Sequence, residues 1–64
     1  HAVVTTKTHV DSLLEIDAGA LANVFEVVKA VAALFVAAYG GAHVVTNLGR
    51  YQDSRHFHVH IGAD

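Results

Sequence analysis

Histidines alternate with apolar residues near the end of the sequence, where the segment 56–61 reads His-Phe-His-Val-His-Ile. Successive side chains of a β-strand point to opposite faces, so this alternation predicts a strand. One face would carry three imidazoles, and the other would carry Phe57, Val59 and Ile61, which are suited to a core. Three imidazoles in one row are more than the polar outer face of a strand needs, so we interpret them as a functional site.

The spacing of these histidines favours catalysis over metal binding. Alternate residues of a strand lie about 6.5–7 Å apart, so the backbones of His56 and His60 would be about 13 Å apart. Two neighbouring imidazoles could share a zinc ion, but three from one straight strand can hardly converge on a single tetrahedral ion. A row suits one central group with a partner on each side. Neutral imidazole is a sound nucleophile toward phosphorus, and much of it is neutral at pH 7.

The segment 56–61 resembles the motif of the histidine triad (HIT) family, in which histidine and apolar residues alternate three times. Asn-Leu-Gly at 47–49 and Gln52 are similar to the Asn-x-Gly…Gln that precedes the triad in nucleotide-binding members. Upstream, His-Ala-Val-Val at 1–4 and Lys-Thr-His-Val at 7–10 are similar to the family's His-apolar strand and the Lys-His-apolar segment after it. The resemblance therefore covers essentially the whole chain.

Only the later part of a typical HIT domain is represented, however. The family's leading strands and helix, and the acidic residue there that holds the ribose, have no counterpart in the 64 residues. We therefore expect residues 1–64 to form a single, partial HIT-like domain. Because the resemblance places the ribose and base pocket in the missing part, we also expect weak activity from this chain alone.

The resemblance implies specific roles for the histidines. His58, the middle histidine, would attack the α-phosphorus of a nucleotide derivative and form a covalent nucleotidyl-histidine that water then cleaves. His56 and His60 would position it and supply protons or hydrogen bonds to the phosphate and leaving group. His1 matches the family's upstream active-site histidine. The remaining two histidines, His9 and His43, are interpreted as structural.

The polar loop 48–54 would supply contacts to the substrate. Asn47 and Gln52 match phosphate-side contacts of the family. The loop is about two residues shorter than the family pattern, which leaves open whether Asp53 or Ser54 replaces the family's hydroxyl group, and we take Ser54 as the candidate.

Composition excludes several classes of protein. A single domain of 64 residues buries only about 60% of the surface that its unfolded chain exposes, so its stability should be marginal. A net charge of −2 with only four Lys and Arg argues against nucleic-acid binding, which needs a basic patch. The absence of cysteine excludes a disulfide framework and cysteine-based zinc sites. No secretory signal is visible after His1, and we expect a cytoplasmic protein.

The rest of the chain predicts an α+β fold. The segment 2–6 is β-branched and 42–47 alternates, so both read as strands, and a hairpin over 42–61 would bring Asn47 and Gln52 near the mouth of the histidine face. The segment 9–16 fits either a helical turn or a packed connector. One long helix is expected over 18–39, capped by Asp17 and ended by two glycines.

The second half of this helix has no polar side chain on any face from 30 to 38. A helix that is apolar all round is normally buried on more than one side. A membrane span needs about 20 apolar residues, and this run has nine. We therefore expect the helix to pack on the sheet and on a second copy of the chain, as a homodimer. The alternative is a face left bare because preceding residues are missing.

The resemblance to the HIT family implies a hydrolase or transferase that acts on nucleoside phosphoramidates or dinucleoside polyphosphates. Its partner would be a purine nucleotide or a related small molecule, with no metal, cofactor, nucleic acid or membrane required. The alternative is a non-catalytic module that uses the same histidine face to bind a nucleotide or a divalent metal. A HIT remnant with interaction roles only is the third possibility.

Overall fold

The computed structural model describes residues 1–63 and shows an α+β fold of one long helix against a three-stranded antiparallel sheet. The element order is β1 (Ala2–Thr5), α1 (Ala18–Tyr39), β2 (His43–Val45), a single 3-10 turn (Gly49–Tyr51) and β3 (His58–Gly62). The coarse architecture expected from the sequence is thereby confirmed.

Strand β3 lies in the centre of the sheet and pairs with both other strands, in the order β1-β3-β2. His60 lies opposite Val3 of β1 and opposite Val45 of β2. His58 lies opposite Thr5. Directly paired residues share a sheet face, so the histidines of β3 project from the same face as these three neighbours.

Helix α1 begins and ends where its capping residues predict. The carboxylate of Asp17 accepts a hydrogen bond from the backbone N–H of Ala20 at 3.0 Å, which satisfies one of the unpaired donors of the first turn. Gly40 takes the left-handed conformation at φ 85°, and its N–H donates to the carbonyl of Val36 at 2.8 Å. A residue without Cβ adopts this conformation at little steric cost, which is why the helix stops there.

The core lies between α1 and the inward face of β3. Its buried apolar residues are Val24 and Val28 from the helix and Phe57, Val59 and Ile61 from the histidine segment. The predicted alternation is confirmed, since 57, 59 and 61 are buried while the histidines between them are only partly buried. Each histidine that points outward is thus held by buried neighbours on either side.

The strands are shorter than the sequence predicts. Strand β1 ends at Thr5 rather than at 6, and β2 covers His43–Val45 rather than 42–47. Strand β3 begins at His58, so His56 lies outside it. The physical reason is a change of partner, because the N–H of Phe57 donates to the carbonyl of Val10 at 2.6 Å, beyond the end of β1.

The ambiguous segment 9–16 is a connector and not a helix. Its only regular feature among the described residues is a turn at Ser12, whose carbonyl accepts from the N–H of Glu15 at 3.1 Å. The hydroxyl of Ser12 also accepts from the N–H of Leu14 at 3.1 Å. Such local bonds from serine compete with continuation into a helix.

Much of α1 is exposed. Only Val24 and Val28 are buried, whereas Val27 and Leu34, seven residues apart on one face, are 50% and 70% exposed. By length and composition the helix could cross a membrane, although core helices of soluble proteins and signal sequences share these properties. Its charged residues, Glu26 and Lys29, are both exposed near the middle of the helix.

Candidate functional site

Three imidazoles form a continuous row on the outward face of the sheet, in the order His1, His60 and His58. The Nε2 atom of His1 lies 3.2 Å from Nδ1 of His60, and the two ring centroids are 5.3 Å apart. The rings of His60 and His58 meet edge to face, with centroids 4.7 Å apart and planes at 79°. The structure therefore brings together three of the four histidines that the sequence identifies as catalytic candidates.

A hydrogen bond to the backbone defines the tautomer of His58. Its Nδ1 lies 2.6 Å from the backbone carbonyl oxygen of His56. A carbonyl oxygen only accepts hydrogen bonds, so Nδ1 carries the proton. In the neutral ring the lone pair then resides on Nε2, and a hydrogen bond of this kind also fixes the orientation of the imidazole.

His56 does not extend the row, which corrects the prediction of three imidazoles along one strand. It lies in a bend before β3, and its ring turns toward the segment after β1. There its Nε2 lies 3.3 Å from the carbonyl of Thr6, and its Nδ1 lies 3.2 Å from Nδ1 of His9. Its link to the nucleophile candidate is the backbone carbonyl that holds His58, and not its imidazole.

A narrow cleft lies at the mouth of the row. Its lining residues are Asn47, Gln52, Asp53, His58 and His60. The hairpin thus places both amides beside the histidines, as the sequence predicts. Asp53 and Ser54, the two candidates to replace the family's hydroxyl group, are both exposed in the bend before β3, and Asp53 is the one that lines this cleft.

A second, wider cleft of about 420 Å³ opens on the other side of His60. It is lined by His1, His43, Val45, His60, Gly62 and Ala63. His60 is shared by both clefts, so a substrate that reaches His58 has room to extend across the sheet past His60 and His1.

Backbone and side-chain hydrogen bonds hold the amide side of the site. The side chain of Gln52 donates to the carbonyl of Asp11, and the hydroxyl of Thr46 donates to the carbonyl of His58 at 3.0 Å. The bond to Asp11 fixes the side chain of Gln52 at the edge of the narrow cleft that it lines. One N–H of the Gln52 amide is used in the bond to Asp11, and its second N–H is the one that could contact a phosphate.

His9, which is interpreted as structural from the sequence, makes contacts with Asp11 and His56 that the sequence did not predict. Nε2 of His9 lies 2.6 Å from Oδ1 of Asp11, and a guanidinium nitrogen of Arg55 lies 3.4 Å from Oδ2. The hydrogen bond from His9, followed by that from Arg55, lowers the pKa of Asp11 below its usual value. The signal was present as His-x-Asp at 9–11, but the contact with His56 joins residues 47 positions apart.

Within residues 1–63, no group of three or more His, Cys, Asp or Glu side chains has a geometry that could hold a metal ion. What the row offers is one imidazole with an oriented lone pair, a second imidazole in ring contact with it and a third bonded to the second. These are the parts needed for nucleophilic attack with proton transfer close by. No family model, curated protein or solved structure matches this chain.

Proposed function

We propose that this chain is a HIT-like nucleotide hydrolase or transferase that acts at the α-phosphate of nucleoside phosphoramidates or dinucleoside polyphosphates. The observation that carries the proposal is the state of His58. Its Nδ1–H is committed to the carbonyl of His56 at 2.6 Å, which leaves the Nε2 lone pair for attack. The ring stands edge-on to His60, on an outward face that opens into the narrow cleft.

The reaction would proceed in two displacements. The Nε2 lone pair of His58 forms a bond to the α-phosphorus while the bond from phosphorus to the leaving nitrogen or oxygen breaks. The leaving group takes a proton from a neighbouring imidazole, for which His60 is the nearest donor. Water then attacks the same phosphorus, returns a proton to that imidazole and releases His58. Splitting one displacement into two easier ones is the general advantage of covalent catalysis.

The pair His1 and His60 suits this proton transfer. Their 3.2 Å nitrogen–nitrogen contact joins a donor on one ring to an acceptor on the other. A proton given up by His60 can therefore be replaced from His1. Imidazolium in this row would also stabilise the charge that develops on the phosphoryl oxygens, together with the amide of Asn47 at the narrow cleft.

The substrate would be a purine nucleotide or a related small molecule, and the acting unit a homodimer in the cytoplasm. The dimer rests on α1, whose exposed Val27 and Leu34 form an apolar face away from the buried valines. A second copy would cover this face. The exposed charges of Glu26 and Lys29 favour this covering over a lipid one, since charged side chains are costly inside a bilayer.

Turnover of adenosine 5′-phosphoramidate tests the proposal. His58→Ala should abolish it, because no other nitrogen takes the place of Nε2. His43→Ala is the matched control, a histidine on β2 that lies opposite Gly62, and it should stay within a few fold of the unmodified chain. Nucleotide binding without turnover in the unmodified chain would favour the non-catalytic binding module, and equal turnover by His58→Ala would overturn the assignment.

A further inference from the structure

Beside the imidazole row, a second group of side chains joins the segment after β1 to the bend before β3. Nε2 of His9 lies 2.6 Å from the carboxylate of Asp11. Nε2 of His56 lies 3.3 Å from the carbonyl of Thr6. The two remaining ring nitrogens, both Nδ1, lie 3.2 Å from each other, and the ring planes are inclined at 42° with centroids 5.2 Å apart.

The partners of these nitrogens determine how many protons the two rings hold. A carboxylate and a backbone carbonyl only accept hydrogen bonds, so Nε2 of His9 and Nε2 of His56 each carry a proton. A hydrogen bond between the two Nδ1 atoms needs one further proton. Three protons on two imidazoles leave a single positive charge on the pair.

We propose that His9 and His56 share one proton between their Nδ1 atoms, and that His9 is thereby a positioning residue for the proposed nucleophile. The negative charge of Asp11 balances the charge of the pair. Hydrogen bonds from His9 and then Arg55 lower the pKa of Asp11, which favours its ionised carboxylate beside the charged pair.

The shared proton ties the segment 6–11 to the site at several points. His56, held by His9 and Thr6 through its ring, presents the backbone carbonyl that accepts the proton of His58. The carbonyl of Asp11 holds the side chain of Gln52 on the other side of the narrow cleft. The pair therefore supports both the orientation of the nucleophile and the amide beside it.

Loss of the shared proton at higher pH removes this support. The proton is transferred to water, and two neutral rings remain, each protonated on Nε2. Their Nδ1 atoms then both carry lone pairs, so the hydrogen bond between the two rings is lost. The charged groups that face the pair are Asp11 from the segment after β1 and Arg55 from the bend before β3. Coupled groups of this kind titrate as a pair rather than as two separate residues.

Nuclear magnetic resonance of protein labelled with ¹⁵N-histidine tests the shared proton directly. In long-range ¹H–¹⁵N spectra, the rings of His9 and His56 should titrate together and both should end as the Nε2–H form at high pH. His9→Asn should remove the second titrating ring while the remaining signal of His56 keeps the Nε2–H form. Independent titration of the two rings, or the Nδ1–H form in either of them, would overturn the proposal.

The kinetic test rests on the proposed function. His9→Ala should lower kcat by roughly tenfold with little change in KM, as expected for one lost charge-assisted hydrogen bond. His9→Asn, whose amide can bond Nδ1 of His56 at any pH, should recover most of kcat and flatten the alkaline limb of the pH profile. An unchanged kcat and pH profile in His9→Ala would refute the positioning role.

The two tests distinguish an error in the proposed function from an error in the shared proton. If the unmodified chain has no turnover while the two rings titrate together, the proposed function is wrong and the shared proton stands. If turnover requires His58 while the two rings titrate independently, the shared proton is wrong and the proposed function stands. His43→Ala is the control for the titration and should leave the titration of His9 and His56 unchanged.

Discussion

The substitution Val59→Ala tests whether the core behind the imidazole row holds the row in place. Val59 is fully buried between His58 and His60, at 0% exposure. Removing two methyl groups forfeits roughly 1.6 kcal/mol of transfer free energy at about 0.8 kcal/mol per group. The cavity left behind adds to this, for a total of about 2–3 kcal/mol. A chain of 64 residues is expected to have only about 3–10 kcal/mol of stability in all.

Urea unfolding followed by circular dichroism measures this loss, and Val45→Ala provides the matched control. This substitution removes the same two methyl groups from the outward face, where Val45 lies opposite His60 and is 46% exposed. We expect Val45→Ala to lower the free energy of unfolding by less than about 1 kcal/mol. Equal losses from the two variants would refute the assignment of opposite faces on which the site depends.

Two further predictions concern acid stability and assembly. Because the pKa of Asp11 is lowered in the folded chain, the stability from its carboxylate is fully present above the ordinary carboxyl value of about 3.9 and is lost as pH falls through the lowered value. Asp11→Asn should therefore flatten the acid limb of unfolding, by a small amount because the ion pairs are exposed; an unaltered acid limb would contradict this. Size exclusion with light scattering at micromolar concentration should give twice the chain mass, and Leu34→Glu should give a monomer with the same circular dichroism. A folded monomer of the unmodified chain, or an unmodified chain that is soluble only in detergent micelles, would contradict the dimer.

Local signals predicted most of the fold. The bounds of α1 follow from Asp17 and Gly40, since capping depends on residues within one turn. The buried and exposed faces of β3 follow from the strict alternation of histidine and apolar residues, because a period of two residues is typical of a β-strand. The strand ends were less predictable, because they depend on which partner strand reaches each backbone group. His56 is the example, since the bond from Phe57 to Val10 ends its pairing with β1.

The site was predicted only in part, because local spacing indicates some of its contacts but not those between distant segments. The contact of His58 with His60 follows from their spacing along one strand, and that of His60 with His1 from the resemblance that places His1 in the site. The contact of His56 with His9 joins two segments that are not paired in the sheet, so neither spacing nor alternation indicates it. Gln52 was placed correctly at the cleft, but its bond to Asp11 depends on the fold of the segment 9–16, which the sequence left ambiguous.

The central claim is that Nε2 of His58 attacks phosphorus, and mass spectrometry of protein quenched during turnover of adenosine 5′-phosphoramidate tests it most directly. The proposed mechanism predicts one adenosine-monophosphate adduct per chain, mapped by fragmentation to His58 and absent from His58→Ala. His43→Ala should carry the same adduct on the same residue. An adduct on any other residue, or turnover by His58→Ala at the rate of the unmodified chain, would contradict the claim.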